Sequence, residues 1–454
     1  MMLVRNFKQL VRLSTEQALT QTCIRCIEAG VRAVQPEGLI RSKLDLRGQV
    51  LCIAGDDRSI NLGAYDKVYV VGAGKASLEM VRALNRLIGY RIAAGEVASN
   101  QVKRDVMIGR VRVNPATHPL PSGLSRRATA RIIRLIKRRS EHDLFFVLLS
   151  GGASSMLVMP PTPVTVREES RLVDALQRSG ADIHELNVVR KHISSVRGGR
   201  LQSLIYPAHS VTLSISDVVG DSPESIGSGP TSPDPSTYAD VLRIVERRLQ
   251  WKGVPDSIAR LIRRGVEGRV LETPKPGDTV FTSGDYFLLG SVRDALKAIE
   301  ATLLEEGFSP LTLTNLMEGE AREVGRLVAR IISSDLNSGR FNALIMGGET
   351  TVHVTGGGSG GRNQELALSA AVEFEGKKGV VCTSFGTDGI DGTTEYAGAI
   401  VDAGTLLRAR RMGLDAAVYL ENNDSGSFFE KVGGAVLTGR TGTNVSDVVV
   451  ALRL

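Results

Sequence analysis

Val68-Tyr69-Val70-Val71-Gly72-Ala73-Gly74-Lys75-Ala76-Ser77 is the stretch that decides the fold class. A continuous apolar run enters two glycines and then a segment of helical periodicity near 75–88. Such a run fits a strand covered on both faces of its sheet. The pattern recurs at Leu144-Phe145-Phe146-Val147-Leu148-Leu149, which leads into Ser150-Gly151-Gly152-Ala153-Ser154-Ser155-Met156. Strand candidates at 49–53, 67–71, 107–113, 143–149 and 210–216 alternate with helix candidates near 75–88, 122–139, 165–178 and 182–196. That alternation predicts parallel strands joined by crossovers. In an open sheet of this kind ligands lie beyond the carboxyl ends of the strands, where both glycine segments fall.

The chain has 454 residues, room for two or three domains at roughly 150 residues each. Residues 14–34 read as a helix, with Leu19, Cys23, Cys26, Ile27, Gly30 and Val34 at helical spacing. The stretch from Arg260 to Gly277 is charged and carries Pro274 and Pro276, so it reads as a connection. A second alternating region follows: strand 278–282, helix 285–306, strand 309–314, helix 319–336, strand 341–347, helix 362–374 and strand 379–384. Two final strands fall near 434–438 and 447–452. The expectation is an α/β chain of two domains. Residues 1–259 form a Rossmann-like domain with a parallel sheet, 260–277 connect, and 278–454 form a second α/β domain.

Composition narrows the function. Hydrophobic residues make up 42% and charged residues 23%, which excludes wholesale disorder. Aromatic residues are only 4%, which argues against stacking platforms for single-stranded nucleic acid. Net charge is 56 − 49 = +7. It fits either a solvated surface or attraction to anionic small molecules. The basic residues are spread along the chain apart from a cluster between Arg126 and Arg139, which disfavours nucleic acid. Cys23 and Cys26 lack a second pair to complete a zinc site, so they read as core residues with reduced thiols. There is no long apolar run and no signal-peptide pattern at the N-terminus, so a cytoplasmic protein is expected.

Several segments can carry chemistry. At Gly72-Ala73-Gly74-Lys75 the helix start suits an anion, and Lys75 adds a positive charge. The segment is neither a dinucleotide fingerprint, because Ser77 stands at the third glycine position, nor a P-loop, because Tyr69 and Ala76 break that pattern. Gly151, Gly152 and Ser154 form a second phosphate-binding candidate, or an ordinary turn with a serine cap. Arg190, Lys191, Arg197 and Arg200 offer cations for a carboxylate or phosphate, or a solvated helix face; His192 among them reads as structural. Asp217 stands just past a strand and is a candidate Mg²⁺ ligand.

The C-terminal half holds Gly347-Gly348-Glu349-Thr350, then Gly356-Gly357-Gly358-Ser359-Gly360-Gly361-Arg362-Asn363-Gln364-Glu365. Successive amides at Gly357, Gly358, Gly360 and Gly361, with Asn363, predict an anion nest, and Arg362 adds charge toward a phosphate. In Gly386-Thr387-Asp388-Gly389-Ile390-Asp391, the aspartates suit a Mg²⁺ site, a general base or an Asx turn. Thr438-Gly439-Arg440-Thr441-Gly442-Thr443-Asn444 is rich in small donors.

Together these segments, with Leu186 to Leu201 and Ser216 to Pro235, resemble the class II glycerate kinases, whose C-terminal domain is of the MOFRL type. The resemblance runs in order over nearly the whole chain. It implies ATP-dependent phosphorylation of D-glycerate with Mg²⁺ or another divalent cation, in a cleft between two α/β domains. Archaeal members similar to this chain make 2-phosphoglycerate, which implies a place in an Entner–Doudoroff pathway. The resemblance places Lys75, Arg362 and Asp388 along that cleft, and they are the catalytic candidates. Lys75, Arg190, Lys191 and Arg362 are then the candidates for substrate, and Asp217 and Asp388 for metal. Partners are small molecules, without nucleic acid or membrane, and self-association is left open. Arg440 departs from the family's usual proline, which puts the role of its loop in doubt. Two alternatives stay open: an NAD(P)-dependent hydroxypyruvate reductase, the name some relatives carry, and phosphorylation at the 3-hydroxyl.

Overall fold

The computed structural model describes residues 2–334 and 339–454. The chain forms two compact units. One comprises Leu39–Ser216 and Asp221–Leu289. The other comprises the chain up to Gly38, Asp217–Gly220 and Gly290–Leu454.

The first unit is built on a seven-stranded sheet. Its order is Gly284–Gly290, His209–Ile215, Leu144–Ser150, Val68–Ala73, Ile92–Ser99, Val111–Pro115 and Val106–Ile108. The five strands from His209–Ile215 to Val111–Pro115 are parallel. The parallel reading therefore holds, and the apolar runs at 68–73 and 144–150 are buried throughout, as strands covered on both faces must be. The single strand expected at 107–113 is instead a hairpin, turned at Gly109 with φ 57°. A small antiparallel sheet, Leu44–Arg47, Val50–Ile53 and Ser59–Asn61, belongs to the same unit.

Beside the large sheet, four helices share an apolar cluster: Val166–Arg178, Ile183–His192, Tyr238–Leu249 and Asp256–Val266. The last falls in the stretch expected to be a connection. Ile258 and Ile262 are buried in the cluster while Arg260, Arg263 and Arg264 point outward. The charges that suggested a linker are the wet face of an amphipathic helix. Residues 278–282 are likewise not a strand. Thr279–Phe281 is one 3₁₀ turn, and the strand Gly284–Gly290 completes the first unit's sheet, so the second unit resumes at Gly290 and not at 278. The helix expected from 285 starts at Val292, where Ser291 and Asp294 form a capping box.

The second unit holds a six-stranded mixed sheet: Pro310–Met317, Ala343–Gly348, Asp447–Arg453, Val380–Gly386, Gly398–Asp402 and Ala435–Val436. Only the first pair is parallel. The last strand, Asp447–Arg453, runs antiparallel between Ala343–Gly348 and Val380–Gly386. The helix expected over 319–336 is Ala321–Ser333, and positions 335 and 336 lie outside the described residues.

The N-terminal helices also belong to this second unit, against the expected 1–259 domain. Helix Gln17–Ala33 packs on Val292–Glu305, and a Cβ at Gly30 would stand 2.8 Å from Ile299 Cδ1. The apolar stripe of the helix was legible, but periodicity does not name the partner of a stripe. Cys23 and Cys26 lie on its buried side as free thiols, and burial pushes the Cys26 thiol up to about 12. Among the described residues no helix is long and apolar enough to cross a membrane.

Asp402 ties the N-terminal segment into the second unit. Its carboxylate accepts from Ser14 Oγ at 2.8 Å, Thr15 N at 2.6 Å and Thr405 Oγ1 at 2.9 Å, and faces Arg408 Nη1 at 3.4 Å. Burial alone would raise its pKa, but Arg408 and these donors hold it below the usual value. Asp402→Ala is expected to lower stability by about 3 kcal/mol or more, because it strands a largely buried cation and several donors. A urea melt with an unchanged midpoint would show that the cluster contributes little.

Candidate active site

In the first unit, the chain passes from Val68–Ala73 to Ile92–Ser99 on one side and later to Leu144–Ser150 on the other. The carboxyl ends of Val68–Ala73 and Leu144–Ser150 therefore flank a topological switch point, the preferred ligand position in such a sheet. The two loops there interlock. Lys75 N donates to Gly151 O at 2.8 Å, and Ala76 N to Ser150 Oγ at 3.0 Å. The glycines are required by this close approach: a Cβ on Gly72 would lie 2.0 Å from Leu148 O, and one on Gly74 2.1 Å from Ser150 Oγ. The packing of the two strand ends therefore accounts for both glycines. Lys75 is half-buried at this junction. Gly152, at φ 79°, opens the short helix Ala153–Met156.

Helix Ile183–His192 reaches the same loops through hydroxyls. Ser154 Oγ bonds to Ser228 Oγ at 2.9 Å, which donates to Asn187 Oδ1 at 3.2 Å. The candidate phosphate ligand Ser154 thus has a fixed partner. Arg197 donates to Ser154 O through Nη2 and to Glu169 Oε1 through Nη1 at 2.6 Å, in a buried ion pair. The cations expected to bind substrate separate here. Lys191 is buried and faces Asp234 at 3.3 Å, so its charge is committed within the unit. Arg190, one residue earlier and about 100° around the helix, is half-buried and makes no side-chain hydrogen bond or ion pair among the described residues. Burial first, and then the charge of Arg197, push its pKa down to about 10 against the pull of Glu169. Glu169, which nothing in the sequence marks, completes this cluster.

In the second unit, the glycine loop does not present the expected anion nest. Gly356 N donates to Asn423 Oδ1 at 3.0 Å, Gly357 N to Asn422 Oδ1 at 3.1 Å, and Gly358 N to Asn422 O at 3.0 Å. Ser359 N donates to Asp424 Oδ1 at 2.9 Å and Gly360 N to Thr393 Oγ1 at 3.2 Å. The chain's own oxygens fill the amides a phosphate would use. The N-terminus of helix Arg362–Glu373 is filled in the same way. Asp391 accepts from Asn363 N at 3.1 Å, Asn363 Nδ2 at 3.2 Å and Gln364 N at 2.8 Å. Gly361 has no room for a Cβ, which would lie 2.3 Å from Asp391 Cγ. Asn363 is buried and its Oδ1 takes Ser384 Oγ at 2.6 Å, so it is a structural residue and not a phosphate ligand.

Arg362 is held at the ends of two strands. Asp447 is paired in register with both Gly348 and Gly386, and it binds the Arg362 guanidinium, with Nη2 to Oδ1 at 3.2 Å. Glu349 binds Nη1. Burial would lower the Arg362 pKa, but Asp447 and then Glu349 hold it above the ordinary arginine value. Arg362 is therefore already neutralised by two carboxylates. Asp388 is half-buried and closes an Asx turn on Ile390 N at 3.1 Å. Its carbonyl takes Thr441 N, while Asn444 Nδ2 donates to Asp217 Oδ2 at 2.7 Å. The loop 438–444 thus spends its small donors inside the protein and brings Asp217 and Asp388 against one segment; Arg440 is exposed there. Among the described residues no three His, Cys, Asp or Glu side chains gather as a metal site. Sequence reading missed Asp447, whose signal was only its place at the start of the last strand.

This fold and these loops define a known class. Residues 342–447 match the model of the MOFRL family, and residues 22–263 match that of a domain of unknown function, DUF4147. The chain belongs to this DUF4147–MOFRL family. It is 37% identical to a D-glycerate 2-kinase of Thermotoga maritima over 96% of this chain and 99% of the relative. It is also 37% identical to a putative hydroxypyruvate reductase of Agrobacterium vitis, over 94% of this chain and 93% of the relative. The crystal structure of a glycerate kinase from Thermotoga maritima matches with a TM-score of 0.82 and 36% identity, covering 96% of this chain and all of that one (100%).

Burial pushes the Asp391 carboxyl up to about 7, against the two amides that favour its charged form. The folded state then keeps a proton that the unfolded chain releases near pH 4. Stability should fall as pH rises from about 4 to about 7, and Asp391→Asn should flatten that segment of the curve. Melting temperatures across this range check it; an equal slope in both proteins would place the titration elsewhere.

Proposed function

We propose that this chain transfers the terminal phosphoryl group of ATP to the 2-hydroxyl of D-glycerate, giving 2-phosphoglycerate and ADP. The observation that carries this reading is Arg190. A half-buried guanidinium with no side-chain partner among the described residues, on the helix whose Asn187 reaches the Ser154 loop through Ser228, calls for an anion. Glycerate, after which the Thermotoga relative is named, carries a carboxylate, an anion of the right kind. Clamped by its carboxylate, glycerate presents the adjacent 2-hydroxyl, while the 3-hydroxyl lies one carbon further away.

Phosphoryl transfer asks for positioning and charge neutralisation more than for covalent chemistry. Lys75 neutralises phosphoryl oxygens, and the backbone of Gly151 and Gly152 with Ser154 shapes their seat. In the second unit, Arg362 can take an anion by exchange. Glu349 is partly exposed (44%) and Asp447 is buried (2%), so an incoming phosphoryl oxygen displaces Glu349 while Asp447 keeps the guanidinium in place. Also in the second unit, Asp388 is the candidate general base or, with Asp217, metal ligand. Mg²⁺ fits this donor chemistry, since it commonly takes one or two carboxylates together with substrate phosphates. When bound, it would neutralise charge on the phosphates.

The reductase name of the Agrobacterium relative supplies a second reading. Against it stands Ser77, which occupies the third glycine position of a dinucleotide fingerprint. Following NADH absorbance with hydroxypyruvate in the absence of ATP separates the two; turnover there would favour the reductase.

Two outcomes are expected. Coupling to enolase without added mutase should give a signal that tracks ADP formation; ADP without an enolase signal would make the 3-hydroxyl the acceptor. Lys75→Ala should lower kcat/KM by roughly 10²–10³ with folding intact, as for loss of one preorganised donor. Wild-type turnover in that variant would remove Lys75 from the site.

A further inference from the structure

We propose that Arg197 is a positioning residue: by occupying the buried carboxylate of Glu169 it keeps Arg190 unpaired and available to the substrate carboxylate. This rests on the reading of Arg190 as the glycerate clamp.

Three charges meet here. Glu169 is 2% exposed and Arg197 1%. Arg197 holds Glu169 Oε1 at 2.6 Å with one nitrogen and the carbonyl of Ser154 with another. The same Nη1 also lies 3.5 Å from the carbonyl of Arg190. The Arg190 backbone thus lies against the pair, and its guanidinium feels the charges of both Arg197 and Glu169. Arg197 keeps the carboxylate because it has a second anchor on the loop that follows Leu144–Ser150, and Arg190 feels Glu169 only through space.

Glu169 keeps capacity for another partner. Its Oε2 is buried without a hydrogen bond. Removing Arg197 would therefore leave a buried carboxylate with no cation in contact, a costly state. Arg190 is a cation within its electrostatic reach. Once drawn into that pair, Arg190 would have to break it before binding an anion, and affinity for the substrate would drop. A clamp with no internal partner has no such pair to break. The arrangement explains why a half-buried arginine stands unpaired within electrostatic reach of a buried acid.

The test uses the full chain with Arg197→Met, Arg197→Met/Glu169→Leu and Arg190→Met. The first readout needs no substrate: modification of Arg190 by 2,3-butanedione, followed by peptide mass spectrometry. The reagent attacks the neutral guanidine, and a carboxylate in contact should lower that fraction about tenfold or more. The second readout is the split between KM for D-glycerate and kcat.

In Arg197→Met, modification of Arg190 should fall about tenfold, and KM should rise about tenfold, with kcat within about threefold of wild type. Arg190→Met should raise KM at least as much. In the double variant, both readouts should return to within about threefold of wild type, because no acid remains to capture Arg190. A double variant that behaves like Arg197→Met in both readouts overturns the proposal. So does an unfolded Arg197→Met beside a folded double variant, since Arg190 would then have failed to take over the pair. If both fail to fold, Arg197→Lys decides: lysine keeps Glu169 occupied, and Arg190 must stay as reactive as in wild type. If the modification pattern appears but the wild type does not turn over glycerate, the charge competition stands and the functional reading falls.

Discussion

Asp391 sits on the first amides of helix Arg362–Glu373, and the second unit's loops are arranged around that contact. A helix N-terminus carries unsatisfied donors and a partial positive charge. Here an internal carboxylate meets both. The contact fixes the residues from Gly361 to Gln364 against the loop that follows Val380–Gly386. It thereby sets the direction in which Arg362 leaves the helix. The guanidinium then meets Asp447, which the antiparallel last strand delivers to the ends of its two neighbours. An acid that reads in the sequence as a metal ligand or base is structural, and the residue beside it inherits the geometry.

The two units handle charge in opposite ways. In the second, Asp447 and Glu349 both bind a single guanidinium, so carboxylates exceed cations in that cluster. In the first, Arg197 occupies Glu169, and Arg190 is left over. Burying charge without a partner is expensive. A leftover guanidinium is therefore more informative than a paired one. It separates Arg190 from Lys191, which differ by a single position in the sequence and by their partners in the fold.

What the residues determined by themselves was local. The runs at 68–73 and 144–150 had to be central strands, because continuous apolar sequence of that length suits burial on both faces. The stripe of helix Gln17–Ala33 and the helix start at Arg362 were legible through period and glycine content. Ile92–Ser99 and Gly398–Asp402 escaped, since alanine, glycine and a single acid give little strand signal. The hairpin at 106–115 reads in the sequence as one strand over 107–113 because its turn is short.

Only the tertiary structure decided which surfaces meet. It moved the first helices into the unit formed by the end of the chain, since an amphipathic stripe specifies that a partner exists and not where in the sequence it lies. It also decided which amides and cations remain for a ligand. Glycine-rich sequence between a strand and a helix is equally compatible with an open anion nest and with amides bonded to Asn422, Asn423 and Asp424. Composition and spacing are the same in both cases. The difference is the position of oxygens more than sixty residues away, which only the folded chain brings within hydrogen-bonding distance.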